Sequence, residues 1–279
     1  MTHTLLGTQV QPDADPINPT GDPNAKSGPK PDVIIRQTLG APDNATALIV
    51  TIDGPAGAGK STVAREVAHR LGLEFLDTGA MYRAVAALVI DHQIDETDEE
   101  AVAQLTQDAD LHFDWTTDPP TLLAFDQPIM ARLRDRDVSA LVSPISAMPE
   151  VRNVLVSLQR RIGGRHPLLV TEGRDQGSIV FPQAPVKLYL DASPRVRALR
   201  RAEQIGPEAD IDAIERKIMA RDQRDSTRAV APLVRPEGGV VVDSSNLDFE
   251  EVVGALVSIV QEKVGEELLD TIRRRASNG

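Results

Sequence analysis

The chain has 279 residues, of which 41% are hydrophobic, so it can bury a sizeable core in one large domain or two small ones. Only 3% are aromatic, which predicts an aliphatic core and excludes aromatic stacking platforms for single-stranded nucleic acid. The formal net charge of −12 argues against long nucleic acids as partners, although a local basic pocket can still hold a small anion. The absence of cysteine excludes disulfides, thiolate zinc sites and a cysteine nucleophile.

The first 46 residues differ in composition from the rest of the chain. Pro, Asp, Asn, Gly and Thr predominate over residues 1–46, which predicts a disordered tail. The first residues lack the basic and apolar regions of a signal peptide, and no apolar run approaches the ~20 residues of a membrane span. We therefore expect a cytoplasmic protein without a membrane partner.

Strand and helix patterns alternate from Ala47 onward. Five apolar runs are typical of buried parallel strands, and the segments between them have helical periodicity. Such alternation predicts βαβ units and an α/β fold with a doubly wound parallel sheet of five strands. The runs are ALIVTID (47–53), LEFLD (73–77), LLVTE (168–172), VKLYLD (186–191) and GVVVD (239–243).

Two segments interrupt this alternation. LHFDW (111–115) and TLLAFD (121–126) predict a small antiparallel hairpin inserted in the α/β fold, followed by a helix. Residues 194–228 are predicted to be helical and contain eight arginines. These arginines indicate either a solvated helical surface or a binding surface for phosphates.

A phosphate-binding motif follows the first predicted strand. Residues 54–61 read GPAGAGKS and match G-x-x-x-x-G-K-[ST], with a predicted helix after them. The glycines allow successive backbone N–H groups to face a phosphate, Lys60 can reach the terminal phosphates, and the Ser61 hydroxyl can bind Mg²⁺. Because the chain is short and lacks the Asn-Lys-x-Asp motif of switch GTPases, it is interpreted as a small kinase that uses ATP.

Three further strings carry arginine. They are LDTGAMYR (76–83), TEGRDQGS (171–178) and RDQRDSTRAVAPL (221–233). The first two follow predicted strands, and open α/β sheets bind ligands at the carboxyl ends of their strands. Each string alone is compatible with a solvated turn. Together they predict a clamp for a second phosphate that faces the triphosphate.

These motifs, in this order and with the block EGRDQGSIVFPQAPVKLYLDAS, resemble bacterial cytidylate kinases from about Ile49 to Leu268. The resemblance implies a P-loop nucleoside monophosphate kinase that transfers the γ-phosphoryl group of ATP to CMP or dCMP in pyrimidine metabolism. It also implies the sheet order 2-3-1-4-5. The kinase domain would span 47–272, with an acceptor-binding insert over about 108–165, a lid and hinge over about 194–228, and a frayed terminus over 273–279.

The resemblance assigns roles to individual residues. The ATP phosphates would be held by Gly54, Pro55, Ala56, Gly57, Ala58, Gly59, Lys60, Ser61 and Thr62. The acceptor would be bound by Thr78, Tyr82, Arg83, Ser143, Arg152, Asp175, Arg221, Asp225 and Arg228, with Ser143, Arg152 and Asp175 reading the cytosine. The catalytic cations would be Lys60, Arg174, Arg221 and Arg228. Ser61 would bind Mg²⁺, and Glu172, where the family more commonly has Asp, would bind it through water.

Two other functions remain open from the sequence. A P-loop kinase of another small acceptor, such as shikimate or the coenzyme A precursor, would share the phosphate loop but would not need the long insert. A module that only senses ATP would not need the full set of arginines. We expect ATP and Mg²⁺ as cofactors, a monomeric enzyme, and nucleotides as its small-molecule partners.

Overall fold

In the computed structural model the chain divides into two units, residues 1–42 and 43–279. The structure describes residues 47–276, apart from the side chains of 266, 267, 273, 275 and 276. The predicted tail over 1–46 lies outside the described residues.

The described residues form strands and helices in the following order. They are β1 (Leu48–Asp53), α1 (Lys60–Leu71), β2 (Glu74–Asp77), α2 (Thr78–Asp91), α3 (Glu99–Asp108), β3 (His112–Asp114), β4 (Thr121–Ala124), β5 (Gln127–Pro128), α4 (Arg136–Ile145), α5 (Pro149–Arg165), β6 (Leu168–Gly173), β7 (Val186–Asp191), α6 (Pro194–Ile205), α7 (Ile211–Thr227), β8 (Val240–Asp243), α8 (Phe249–Val264) and α9 (Glu266–Ala276). A single π-helical turn, Gln176–Val180, lies between β6 and β7.

The central sheet has five parallel strands in the order β2-β6-β1-β7-β8, which confirms the predicted order 2-3-1-4-5. Three of these strands end side by side. Asp53 of β1 pairs with Gly173 of β6, and Asp77 of β2 pairs with Glu172 of β6. The segments that follow β1, β2 and β6 therefore leave the same edge of the sheet, where three of the four predicted motifs begin.

Aliphatic side chains cover both faces of the sheet. Adjacent residues of a strand face opposite sides, so Leu169 and Val170 of β6 belong to different clusters. One cluster includes α2, α3, α4 and α5, and the other includes α1, α8 and α9. Tyr82 is the one aromatic residue among the buried core residues of the described chain, which confirms the aliphatic core.

The insert contains the predicted hairpin and two features that were not predicted. Strands β3, β4 and β5 form an antiparallel sheet, whose third strand is only two residues long. The helix expected after the hairpin is present as α5, and an additional helix, α4, precedes it. Pro149 is the first residue of α5, a position where its missing N–H group is not needed for a helical hydrogen bond. Residues 146–148 are not helical and separate α4 from α5.

The predicted helical segment over 194–228 also consists of two helices, α6 and α7, which pack against each other. Each begins at a side-chain cap, because Ser193 accepts the N–H of Val196 and Asp210 accepts the N–H of Ala213. Residues 206–210 separate them.

The last helix, α9, extends to Ala276, past the predicted end of the domain at 272. The helix thus ends within the segment 273–279, which was predicted to be a frayed terminus. Leu269 and Ile272 are fully buried in the second cluster, which anchors this helix. No helix within 47–276 has the length and apolar character needed to cross a membrane.

Candidate active site

The loop between β1 and α1 forms an open cradle of backbone groups. A Cβ at Gly54 would lie 2.0 Å from the carbonyl oxygen of Leu190, so no side chain fits there. Gly57 and Gly59 have φ values of 78° and 86°, which favour glycine. No side chain caps α1, which leaves the N–H groups of its first turn free for an anion. The loop is exposed at Gly57, Gly59, Ser61 and Thr62.

Lys60 is buried at the end of this loop. Its side chain is 5% exposed, and Nζ donates a hydrogen bond to the carbonyl oxygen of Pro55 at 2.8 Å. Burial and the nearby Arg174 lower the pKa of Lys60 to about 7, although Glu172 opposes this shift. A bound polyphosphate would favour the charged ammonium group. Among the described residues no carboxylate forms a salt bridge with Lys60, so its side chain is available to a bound phosphate.

An oxygen pair adjoins the loop. Ser61 Oγ donates to Glu172 Oε1 at 2.7 Å, and Glu172 is 3% exposed. Burial and the neighbouring Asp77 raise the pKa of Glu172. Mg²⁺ commonly combines one or two carboxylates with substrate phosphates, and no cluster of three metal-binding side chains occurs over residues 47–276. The hydroxyl and carboxylate thus fit Mg²⁺ that arrives with ATP.

Arginine side chains lie near this oxygen pair and Lys60. Arg83 pairs with Asp77 at 2.9 Å, and Arg174 Nε donates to Asp225 at 3.1 Å. Arg221 Nε lies 3.9 Å from the same Asp225 carboxylate and has no hydrogen-bond partner. Burial, followed by Arg174, lowers the pKa of Arg221 to about 10, and Arg83 acts in the same direction. The three guanidinium groups contact two carboxylates directly, those of Asp77 and Asp225, an arrangement that can also bind an anion.

A buried ion pair belongs to the same site. Arg152 and Asp175 pair directly, and each side chain is 4% exposed. The Arg152 guanidinium lies over the Tyr82 ring, 5.6 Å from its centroid. Burial and then Arg152 lower the pKa of Arg228, while Asp175 opposes this shift, so Arg228 adjoins the pair. Ser143 Oγ and one Nη of Arg228 are buried without a hydrogen-bond partner, which leaves both atoms available to a ligand.

Comparison with known proteins identifies the family. A sequence model described as cytidylate kinase matches residues 50–262. The chain belongs to the cytidylate kinase family. It is 42% identical to a cytidylate kinase of Methylococcus capsulatus over 77% of this chain and 98% of that protein. It is also 42% identical to one of Corynebacterium efficiens over 77% of this chain and 94% of that protein.

The family confirms the predicted activity. The chain is a nucleoside monophosphate kinase that phosphorylates CMP and dCMP with ATP, and the two other functions left open by the sequence are thereby set aside. Among solved structures, a shikimate kinase from Bacteroides thetaiotaomicron covers 77% of the chain and 97% of its own at 12% identity, with a TM-score of 0.40. That likeness is too distant to bear on the acceptor.

Like the charged residues above, two further predicted acceptor residues of the kinase, Thr78 and Ser143, have contacts inside the protein. Thr78 is 1% exposed, and its hydroxyl donates to the backbone carbonyl of Glu172 at 2.6 Å, so it supports the sheet edge. Ser143 is connected to the ion pair through one intermediate residue, Ser146. Its carbonyl accepts the Ser146 hydroxyl at 3.0 Å, and the Ser146 carbonyl accepts from Arg152 at 3.3 Å.

The sequence did not indicate the role of Asp53, the last residue of β1. Its two carboxylate oxygens accept the N–H groups of Gln176 and Gly177, each at 2.8 Å. These residues follow Asp175 directly, so Asp53 joins the start of the phosphate loop to the turn that carries Asp175. Burial raises the pKa of Asp53 to about 7. The sequence feature that could have indicated this role is the position of Asp53, a carboxylate at the end of an apolar run and directly before the glycine motif.

Proposed function

We propose that the kinase transfers the γ-phosphoryl group of ATP directly and in line to the phosphate of CMP or dCMP, with the roles predicted for its site residues. The observation that carries this proposal is the buried pair of Arg152 and Asp175. A series of electrostatic interactions connects this pair to Lys60. Arg174 and Arg221 act on Lys60, Asp225 adjoins both arginines, and Arg228 adjoins the pair.

Fixed cations suit the phosphoryl transfer. Two polyanions must approach in line, and the transition state spreads negative charge over the transferred group. In this proposal Lys60 and the P-loop amides hold the ATP phosphates, while Arg174, Arg221 and Arg228 bind the transferred group and the acceptor. The electrostatic influence of Arg174 and Arg221 on Lys60 supports the proposal. The acceptor phosphate is already dianionic near pH 7, because its second pKa is about 6. The reaction therefore needs no general base.

Mg²⁺ fits beside the loop. Ser61 would provide a hydroxyl ligand, and Glu172 would act through water, which its longer side chain permits because it already reaches Ser61 Oγ. The ion would neutralise charge on the β- and γ-phosphates. The protein contributes by holding Ser61 Oγ and Glu172 Oε1 beside Lys60.

The acceptor base is recognised by complementary hydrogen bonds. The exocyclic amine of cytosine is a donor, and the Asp175 carboxylate keeps free lone pairs after pairing with Arg152. Uracil has a carbonyl oxygen at that position, so two acceptors would face each other in a buried site. Sites built to bind a donor strongly reject an analogue that lacks it. The kinase should therefore prefer CMP to UMP.

This preference is tested by measuring kcat/KM for CMP and UMP under the same conditions. We expect CMP to be favoured by at least about 100-fold. Equal efficiency would contradict the assignment of Asp175.

The partners are ATP, CMP and dCMP, and we include in the proposal a monomeric enzyme in the cytoplasm. A single mass in solution, measured by light scattering with and without nucleotides, tests the monomer.

A further inference from the structure

A buried arginine that has no predicted role contacts the phosphate loop. Arg197 lies in the first turn of α6, and its side chain is 4% exposed. Its guanidinium donates to the carbonyl oxygens of Ala192 at 2.8 Å and Ala56 at 2.9 Å. Ala56 belongs to the loop that cradles the phosphates. Arg197 thus links the start of the lid segment to the loop.

Asp222 of α7 completes the connection. One of its oxygens accepts from Arg197 at 2.5 Å, and the other accepts the backbone N–H of Ala56 at 3.2 Å. Both polar backbone groups of Ala56 are therefore held by this pair of side chains. The pair also satisfies its own charge, as a buried ion pair must in order to be stable.

The chain position of Asp222 connects this contact to the reacting groups. Asp222 follows Arg221 directly, and Asp225 lies less than one turn further along α7. A shift of α7 relative to the loop would move Arg221 away from Lys60, whose pKa it already affects. The Arg152 and Asp175 pair lies on other elements and has no contact with Arg197 or Asp222 among its hydrogen bonds.

We propose that Arg197 and Asp222 are positioning residues, which hold the phosphate loop in its ATP-binding conformation and fix Arg221 relative to that loop. This inference rests on the proposed function, because it takes the loop as the ATP site and Arg221 as a catalytic cation. A preformed loop binds ATP without first having to be ordered, and a fixed Arg221 meets the transferred group in line. The pair should therefore influence ATP affinity and turnover most strongly. CMP affinity should change less, because Arg221 and Asp225 of α7 are also predicted to bind the acceptor, whereas Arg152 and Asp175 lie on other elements.

The same two helices offer a matched control. Arg195 also joins α6 to α7, through Asp212 and Glu215, but this network is exposed and does not contact the loop. Replacing Arg195 removes an ion pair between the helices and leaves Ala56 held. It separates a general loosening of α6 and α7 from the specific contact with the loop.

The experiment measures the Kd of ATP and of CMP by calorimetry, together with kcat, for Asp222→Ala, Asp222→Asn and Arg195→Ala in the full chain. We expect Asp222→Ala to weaken ATP binding by about tenfold or more, because hydrogen bonds to charged groups contribute on that scale. Its kcat should fall as well, and its CMP Kd should rise by a smaller factor than its ATP Kd. Asp222→Asn keeps an acceptor for the Ala56 N–H group and should recover part of the ATP affinity.

Other results would overturn the inference. If Asp222→Ala changes only the melting temperature, or if Arg195→Ala weakens ATP binding equally, the pair is only structural. If Asp222→Ala does not fold, the comparison of Asp222→Asn with Arg195→Ala decides the question. The variant Lys60→Ala distinguishes a failure of this inference from a failure of the proposed function, because it tests the ATP site itself. Lost ATP binding in Lys60→Ala with unchanged binding in the Asp222 variants would refute only the positioning pair.

Discussion

The buried pair of Arg152 and Asp175 leads to a prediction that separates folding from recognition. Asp175→Ala would leave the Arg152 guanidinium without its charged partner in a site where the residue is 3% exposed. Its remaining contacts would be the Ser146 carbonyl at 3.3 Å and the Tyr82 ring. Neither neutralises the charge. The single substitution should therefore destabilise the fold as well as remove the group that binds the cytosine amine.

The expected loss of unfolding free energy is about 3–5 kcal/mol, the usual result of removing one member of a buried ion pair. For a domain of this size the melting temperature should fall by about 6–20 °C. Urea unfolding measures the free energy, and differential scanning calorimetry measures the melting temperature. Saturating ATP is omitted so that ligand binding does not mask the change.

The double variant Arg152→Met/Asp175→Ala provides the control. Replacing both charges by apolar groups should restore most of the stability, because the unpaired charge is then gone. It should not restore the preference for CMP over UMP, since no carboxylate remains to accept from the amine. The reasoning would be refuted if Asp175→Ala unfolded at the same urea concentration as the parent, or if the double variant regained the preference for CMP.

Three further predictions concern the donor end of the site. Arg221→Ala should lower kcat by roughly 10³–10⁵ with a small change in ATP affinity, and single-turnover rates equal to the parent would contradict this role. Gly54→Ala should disrupt the loop, because its Cβ would lie 2.0 Å from the Leu190 oxygen, and undiminished ATP binding in calorimetry would argue against it. Since the pKa of Lys60 is lowered to about 7 and bound phosphate would raise it, ATP binding above pH 7 should take up a proton and weaken as the pH rises. Calorimetry in two buffers of different ionisation enthalpy should show that uptake, and its absence would count against an unprotonated Lys60 in the free kinase.

Much of the fold was predictable, because both faces of the sheet are covered and each strand reads as an apolar run with loop residues at its end. The order of the strands came with the family resemblance. The breaks within the predicted helical segments were harder to predict. The sequence shows Pro149, which can begin a helix. The end of the preceding helix at Ile145 also depends on how α4 packs, and the sequence pattern does not contain that information. The two-residue strand β5 carries no periodic signal at all.

The site was predictable where a motif defines it, and less so where burial decides the role. Arg195 and Arg197 are two residues apart in an arginine-rich segment, yet one is half exposed and the other is buried against Ala56. Asp222 stood within a recognised string without a role of its own. Only the packing of α6 and α7 against the loop distinguishes these residues, and hydropathy alone does not contain that information.

The most direct test of the account is the rate of ADP formation by the full chain with ATP, Mg²⁺ and a panel of acceptors, namely CMP, dCMP, UMP, AMP and shikimate. The account predicts rapid turnover of CMP and dCMP, and rates with the other acceptors lower by at least about 100-fold. Binding of ATP without turnover of any acceptor, or a preference for shikimate, would contradict it.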